Sequence, residues 1–390
     1  MNKIRILQIS KYYFPFTGGT EQVAQDIVKA LNSKEYTQKV ICFNEDSKNG
    51  DYVCHRNETL HDYVDDIEVI RCGCFTKIAS QSLSLTYYNE LKKIMDEFRP
   101  DIIIFHYPNP FVAQLLLHLK KRNFKLILYW HLDITKQKIL GKLFHIQNIK
   151  LIERANKIVG ATPKHINESK YTPYFKQKKQ ILPYAIDEKN LIITDDERKK
   201  SIAIKEKYKN KILGFFIGRH VPYKGLEYLI KASKELDDVN IHFLIAGSGE
   251  LTESLKRMSK DDPKIEFLGK ISDSERRVYL DACDIFCFPS ITRNEGFGLA
   301  LAEGMYYGKP AITFKIEGSG VNYVNLDGIT GIECPNRDYH AYAEALKKLC
   351  YDSKLRETYG KNARKRIIEN FTFESFKYNV NELLTELKGD

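Results

Sequence analysis

The sequence predicts an α/β protein built from two doubly wound domains. Two observations carry this. The chain has 390 residues, too many for one core and suited to two domains of roughly 150–200 residues. Short apolar runs that read as buried parallel strands alternate along it with segments of helical periodicity. Hydrophobic content of 43% and charged content of 29% are those of an ordinary folded chain. No apolar run is long enough to span a bilayer. Met1–Ser10 leads straight into a strand, so no signal peptide is expected. The eight cysteines (42, 54, 72, 74, 283, 287, 334 and 350) have neither zinc nor disulfide spacing. They read as small buried thiols of a reduced, cytoplasmic protein.

Charge divides unevenly. Residues 1–183 hold 28 Lys+Arg against 18 Asp+Glu, and residues 184–390 hold 33 against 33, so the net +10 lies entirely in the first half. A basic half suggests an anionic partner: nucleic acid, an anionic membrane surface or a phosphorylated substrate.

In the first half, Ile4–Ile9 reads as a strand and Glu21–Leu31 as a helix, with Gly18 and Gly19 between them. A Gly-Gly pair there leaves bare backbone N–H groups at a helix start, which suits phosphate. A tight turn needing positive φ explains it as well. The third glycine of the dinucleotide fingerprint is missing. Strands follow at 40–43, 67–70, 102–105 and 125–129, with helices at 87–98 and 111–121. His106 and His131 stand just past strand ends, where doubly wound sheets place their chemistry. Residues 134–158 read as a basic amphipathic helix capped by Thr135, with Lys136, Lys138, Lys142 and Lys150; it suits either the core or a membrane surface. The basic aromatic stretch 170–179 favours the surface reading, and no nucleic-acid motif accompanies it.

In the second half, the strand 212–217 ends in Gly218-Arg219, followed by Lys224-Gly225 and a helix at 226–236. Arg219 offers a fork and Lys224 a point charge, a pair able to neutralise a diphosphate. Strands at 241–246, 265–269, 285–288 and 311–314 and helices at 339–349 and 353–369 complete the alternation. The strand 285–288 leads through Glu295-Gly296-Phe297-Gly298 into a helix beginning at Leu299 that carries Glu303. Unpaired N–H groups at that helix start suit an anion, and the glycines permit close approach. If residues 295–303 are helical throughout, the two carboxylates are separated by roughly 12 Å. An acidic helix start with a solvated Glu303 also fits the residues alone.

The run PS-x4-EGFGLALAEG-x3-GKP at 289–310, with G-R-x4-K-G at 218–225, resembles glycosyltransferase family 4, the GT-B-fold retaining enzymes that use nucleotide sugars. The resemblance covers nearly the whole chain and is loosest over 45–100. It implies two Rossmann-like domains facing across a cleft: 1–183 on the acceptor side, 184–370 binding the nucleotide sugar, and a final helix, 371–390, crossing back. The linker Ile181–Asp187 matches the family's crossover, with Ala185 where the family has glycine.

The same resemblance implies roles. Glu303 accepts from the ribose hydroxyls. Arg219, Lys224, Gly18, Gly19, Gly298 and Leu299 hold the diphosphate. Glu295, with the backbone of Gly296 and Phe297, binds the sugar, and the base packs near Ile271. His131 and Asp133 match the H-x-D of bacterial mannosyl- and rhamnosyltransferases, with His131 beside the sugar and Asp133 orienting it. His106 is a further acceptor-side candidate. No metal or cofactor is expected beyond the nucleotide sugar, with GDP-mannose as leading donor and UDP-glucose, UDP-GlcNAc or dTDP-rhamnose as alternatives. The acceptor is a lipid-linked or cell-envelope saccharide, met in the cytoplasm or at the inner face of the plasma membrane. A nucleotide-sugar epimerase and a nucleic-acid-binding protein are the other readings.

Overall fold

The structure is a computed structural model that describes residues 3–16, 18–45, 52–78, 81–119, 123–133 and 138–389. The chain divides into two compact units: residues 1–183 with 376–390, and residues 184–375.

The first unit contains β1 (Ile4–Ile9), β2 (Tyr36–Phe43), β3 (Leu60–Val64), β4 (Ile67–Cys72), β5 (Thr76–Ile78), β6 (Gln81–Leu83), β7 (Ile102–Tyr107), β8 (Lys125–Trp130), β9 (Lys157–Gly160) and β10 (Lys179–Ile181). Eight of these form one sheet in the order β10-β9-β8-β7-β1-β2-β4-β3, with β5 and β6 as a separate antiparallel pair. All its pairings are parallel except β3 with β4. The strand order reverses between β1 and β7, which makes that the switch point, where a crevice opens beyond the strands' carboxyl ends. Leu7, Ile9, Ile103, Phe105, Tyr107, Leu126, Leu128 and Trp130 share one core cluster. Alternation along the strands therefore puts Gln8, His106 and Tyr129 on the opposite face. The helix Gly19–Ala30 packs on that face, where Gln8 Nε2 donates to Ala24 O at 3.2 Å.

The second unit has a six-stranded, wholly parallel sheet, β13-β12-β11-β14-β15-β16. Its strands are β11 (Ile212–Ile217), β12 (Ile241–Ala246), β13 (Ile265–Gly269), β14 (Ile285–Phe288), β15 (Ala311–Phe314) and β16 (Gly331–Cys334). Here the order reverses between β11 and β14.

Two expectations need correction. Residues 134–158 are not one helix: the described helix is Lys138–Arg154, and Lys157 already begins β9. The expected cap Thr135 and Lys136 lie outside the described residues. The stretch 170–179 is mixed: Tyr171 and Phe175 are fully buried, while Lys170, Tyr174, Lys176 and Lys179 are exposed. Its Lys178 donates to Ile152 O (3.2 Å) and Glu153 O (2.8 Å) near the helix C-terminus, where carbonyls lack intrahelical partners. Finally, residues 295–298 are not helical. The helix is Leu299–Tyr306, and Gly298 precedes it at φ +88°, a left-handed conformation that interrupts any continuous turn. Among the described residues, no helix is long and apolar enough to cross a membrane.

Candidate active site

In the second unit the candidate residues gather at the switch point. The loop after β11 forms a short 3-10 turn, Pro222–Lys224, closed by Gly225 at φ +62°. A Cβ on Gly225 would lie 2.1 Å from Pro289 O, so glycine is required there for space as well as for φ. Ile291 N also donates to Tyr223 O at 2.9 Å. The loops after β11 and β14 thus lie in direct contact, which brings Lys224 Nζ to 2.5 Å from Glu295 Oε2. Ser290 Oγ donates to the same oxygen at 3.1 Å. Both members of the ion pair are nearly buried, with side-chain exposures of 10% and 12%. The ammonium also lies 4.9 Å from the Phe288 ring centroid. Arg219 stays exposed and donates to Tyr223 Oη at 3.2 Å.

Beyond Glu295 the backbone is fastened to the next loop. Ser319 Oγ donates to Glu295 O, and Gly320 N donates to Gly296 O at 2.9 Å. Phe297 is 2% exposed and packs its ring against Tyr184 and Phe371, so its contribution to any ligand is limited to backbone. Gly298 caps the helix Leu299–Tyr306 without a side-chain bond. On that helix Glu303 Oε1 is 3.2 Å from Arg276 Nη1. Burial pushes the Glu303 carboxyl up, with Arg276 opposing. Arg276 was missed by sequence reasoning. Its signal was Ser272-x-x-Glu275, which does form a capping box at the start of the helix Asp273–Ala282. Ile271 is half-buried just before that cap.

In the first unit, Gly18 is extended at φ −168°, and neither Gly18 nor Gly19 has positive φ, so the tight-turn explanation falls. A Cβ on Gly18 would meet the Glu21 carboxylate at 2.3 Å, whereas one on Gly19 would meet nothing within 4 Å. His106 lies inside β7 rather than past its end, 1% exposed, and His131 is 4% exposed. His106 Nδ1 and His131 Nε2 are 3.0 Å apart. Asp133 does not orient His131. It accepts from Trp130 Nε1 (2.9 Å), Ser169 Oγ (2.8 Å) and Lys170 N (3.0 Å), because Trp130 points to the opposite sheet face and draws the carboxylate to it.

Burial holds the nearby imidazoles neutral. His106 is pushed down to about 3, His165 to about 4, and His131 well below the ordinary range, with His106 and His165 adding to the effect. Folded values below the unfolded value of about 6.5 mean that unfolding takes up protons below that pH. The stability these groups contribute is complete above about pH 6.5 and is lost as pH falls toward their folded values. Urea unfolding at about pH 7.5 and pH 5 should give a lower midpoint at the acid end; equal midpoints would contradict this.

Among the described residues, no group of three or more His, Cys, Asp or Glu is placed to hold a metal ion. Two family models match in succession: Glycosyltransferase Family 4 over residues 17–187 and Glycosyl transferases group 1 over residues 197–366. The chain is 28% identical to the O-antigen chain mannosyltransferase C of Escherichia coli over 95% of each chain. It is 27% identical to D-rhamnosyltransferase WbpZ of Pseudomonas aeruginosa, covering 95% of this chain and 92% of that one. Among solved structures, sucrose-phosphate synthase from Thermosynechococcus elongatus aligns with a TM-score of 0.77 at 18% identity, over 99% of this chain and 100% of that one. Anabaena Alr3699/HepE, solved in complex with UDP, aligns at 0.75 and 16%, over 99% and 100%.

Proposed function

As this chain belongs to glycosyltransferase family 4 and has the GT-B fold, we propose that it transfers a hexose, with retention and without a metal ion, from a nucleoside-diphosphate sugar to a cell-envelope saccharide. The observation that carries the reading is the Lys224–Glu295 pair. It places a cation and a carboxylate 2.5 Å apart beyond the carboxyl ends of the two switch-point strands. A diphosphate takes the ammonium, with Arg219 as a second cation, and frees Glu295 to accept from sugar hydroxyls. The N–H groups from Gly298 and Leu299 onward serve the phosphate, and Glu303 accepts from the ribose hydroxyls. His131 hydrogen-bonds the sugar. The charge that builds on the leaving diphosphate is met by Lys224 and Arg219 in place of a metal. No side chain is assigned as covalent nucleophile; the leaving phosphate takes the acceptor's proton.

The two curated relatives support a mannose or rhamnose donor and an O-antigen-like acceptor, and GDP-mannose is the donor to try first. The lysine excess of the first half supports a peripheral contact with an anionic membrane from the cytoplasmic side. The experiment is a melting-temperature panel of nucleoside diphosphates and their sugars, followed by product analysis with the stabilising donor and a lipid-linked saccharide. A glycosylated product with the donor's anomeric configuration is expected. No shift with any nucleotide would overturn the reading.

Gly19 offers a sharper check. It has ordinary φ and open space, so the unliganded fold does not require glycine there. Gly19→Ala should leave stability within about 0.5 kcal/mol of the parent while weakening donor binding by about tenfold through a Cβ set against the phosphate. Unchanged donor affinity would remove Gly19 from the site.

A further inference from the structure

We propose that Gln8 and His106 form a buried relay that fixes the tautomer of His131, so that His131 carries its proton on Nε2 and its lone pair on Nδ1. This rests on the reading above only for what His131 touches; the relay itself follows from the hydrogen bonds of the first unit.

Ala24 sets the first hydrogen-bond direction. Its backbone carbonyl can only accept, so the Gln8 group 3.2 Å away is the amide NH2. The Gln8 carbonyl oxygen, Oε1, is then the atom 3.0 Å from His106 Nε2. A carbonyl accepts, so His106 Nε2 carries hydrogen. Burial keeps His106 neutral, so its one proton is spent there and Nδ1 has the lone pair. His131 Nε2 stands 3.0 Å from that lone pair. It must donate, which leaves the lone pair of His131 on Nδ1.

The ring geometry agrees. The two imidazoles lie within 9° of parallel with centroids 5.3 Å apart, the arrangement of rings set edge to edge with an in-plane bond between them. Tyr129 stacks on both, 4.6 Å from His131 and 5.6 Å from His106. Its hydroxyl is anchored on Leu182 O at 2.7 Å. The His131 backbone is held by the bond from its N–H to Tyr107 O at 3.2 Å. Gln8 and His106 are 0% and 1% exposed on two adjacent strands of the parallel sheet. Such positions ordinarily hold apolar residues.

The functional consequence is one of polarity. With Nδ1 as the lone-pair nitrogen, His131 accepts a hydrogen bond from a hydroxyl of the sugar or acceptor and does not donate to one. Gln8 and His106 are positioning residues, acting through His131.

The test reads the tautomer directly, in the full chain without ligand. Protein carrying nitrogen-15-labelled histidine is examined by two-bond proton–nitrogen correlation, with His131 assigned from its absence in His131→Gln. A protonated Nε2 with an unprotonated Nδ1 at His131 is expected, and a protonated Nδ1 overturns the relay. In Gln8→Met the His106 ring is released, and the His131 signals should move toward the opposite tautomer. If they keep the parent positions in a folded variant, Gln8 does not set the polarity. Transfer activity of Gln8→Met and His106→Phe should fall by about tenfold, the worth of one lost hydrogen bond. Parent activity in both, with parent melting temperatures, would overturn the functional half. The spectrum does not depend on turnover. A correct tautomer in a protein that transfers no sugar would support the relay and count against the glycosyltransferase reading alone.

Discussion

Lys224→Ala should lower the rate constant for sugar transfer by about two to three orders of magnitude, the usual effect of removing one preorganised charge from a developing anion. The ammonium is nearly buried and positioned before any ligand arrives, so little reorganisation is needed as charge builds on the leaving phosphate. A second effect accompanies the first. Among the described residues, Glu295 keeps only Ser290 Oγ as a side-chain donor to the oxygen that Lys224 held. A carboxylate left in place after losing its partner is destabilising, so the melting temperature should fall too. Comparison with Glu295→Gln and the double variant separates the effects. The melting losses should be strongly non-additive because the residues share one ion pair, whereas the rate losses come from different parts of the donor. A rate within a few-fold of the parent would remove Lys224 from the reaction.

Glu303→Ala should sharply reduce the rise in melting temperature produced by the stabilising nucleoside diphosphate. Hydrogen bonds to a charged acceptor are worth about 1.5–3 kcal/mol each, so losing the ribose contacts costs at least about tenfold in affinity, and more if both hydroxyls are held. Arg276 adds to this by holding one Glu303 oxygen at 3.2 Å and limiting the rotamers of the carboxylate. Arg276→Met should therefore weaken nucleotide binding less than Glu303→Ala does, and in the same direction. Titration calorimetry with the diphosphate measures both; parent affinity in Glu303→Ala would exclude the ribose role.

The sheets were legible because their strands are continuous apolar runs, and Ile212–Ile217, Ile241–Ala246 and Ile285–Phe288 needed no context. What stayed hidden has a physical reason in each case. The helix Asp195–Lys207 is almost wholly polar and buries only Glu197 and Ser201, so no apolar stripe announces it. β9 is four residues long and is separated by only two residues from a helix of mixed composition. The candidate residues themselves stand out in the sequence, but their partners do not. Gln8 and His106 are 98 positions apart and meet only because β1 and β7 are adjacent. Lys224 and Glu295 meet because β11 lies beside β14. The preference of Asp133 for Trp130 over His131 depends on which sheet face each side chain takes.

The backbone contact between Gly225 and Pro289 reaches beyond the ion pair it serves. Two segments 64 positions apart touch without an intervening side chain, so neither can change length or register alone. In a chimera with a relative, the turn at 222–225 and the loop at 289–295 must come from the same parent. A library that recombines them independently should yield folded but inactive members wherever the parents' loops differ in length. Positions outside this paired unit, such as Ile271, carry no such constraint.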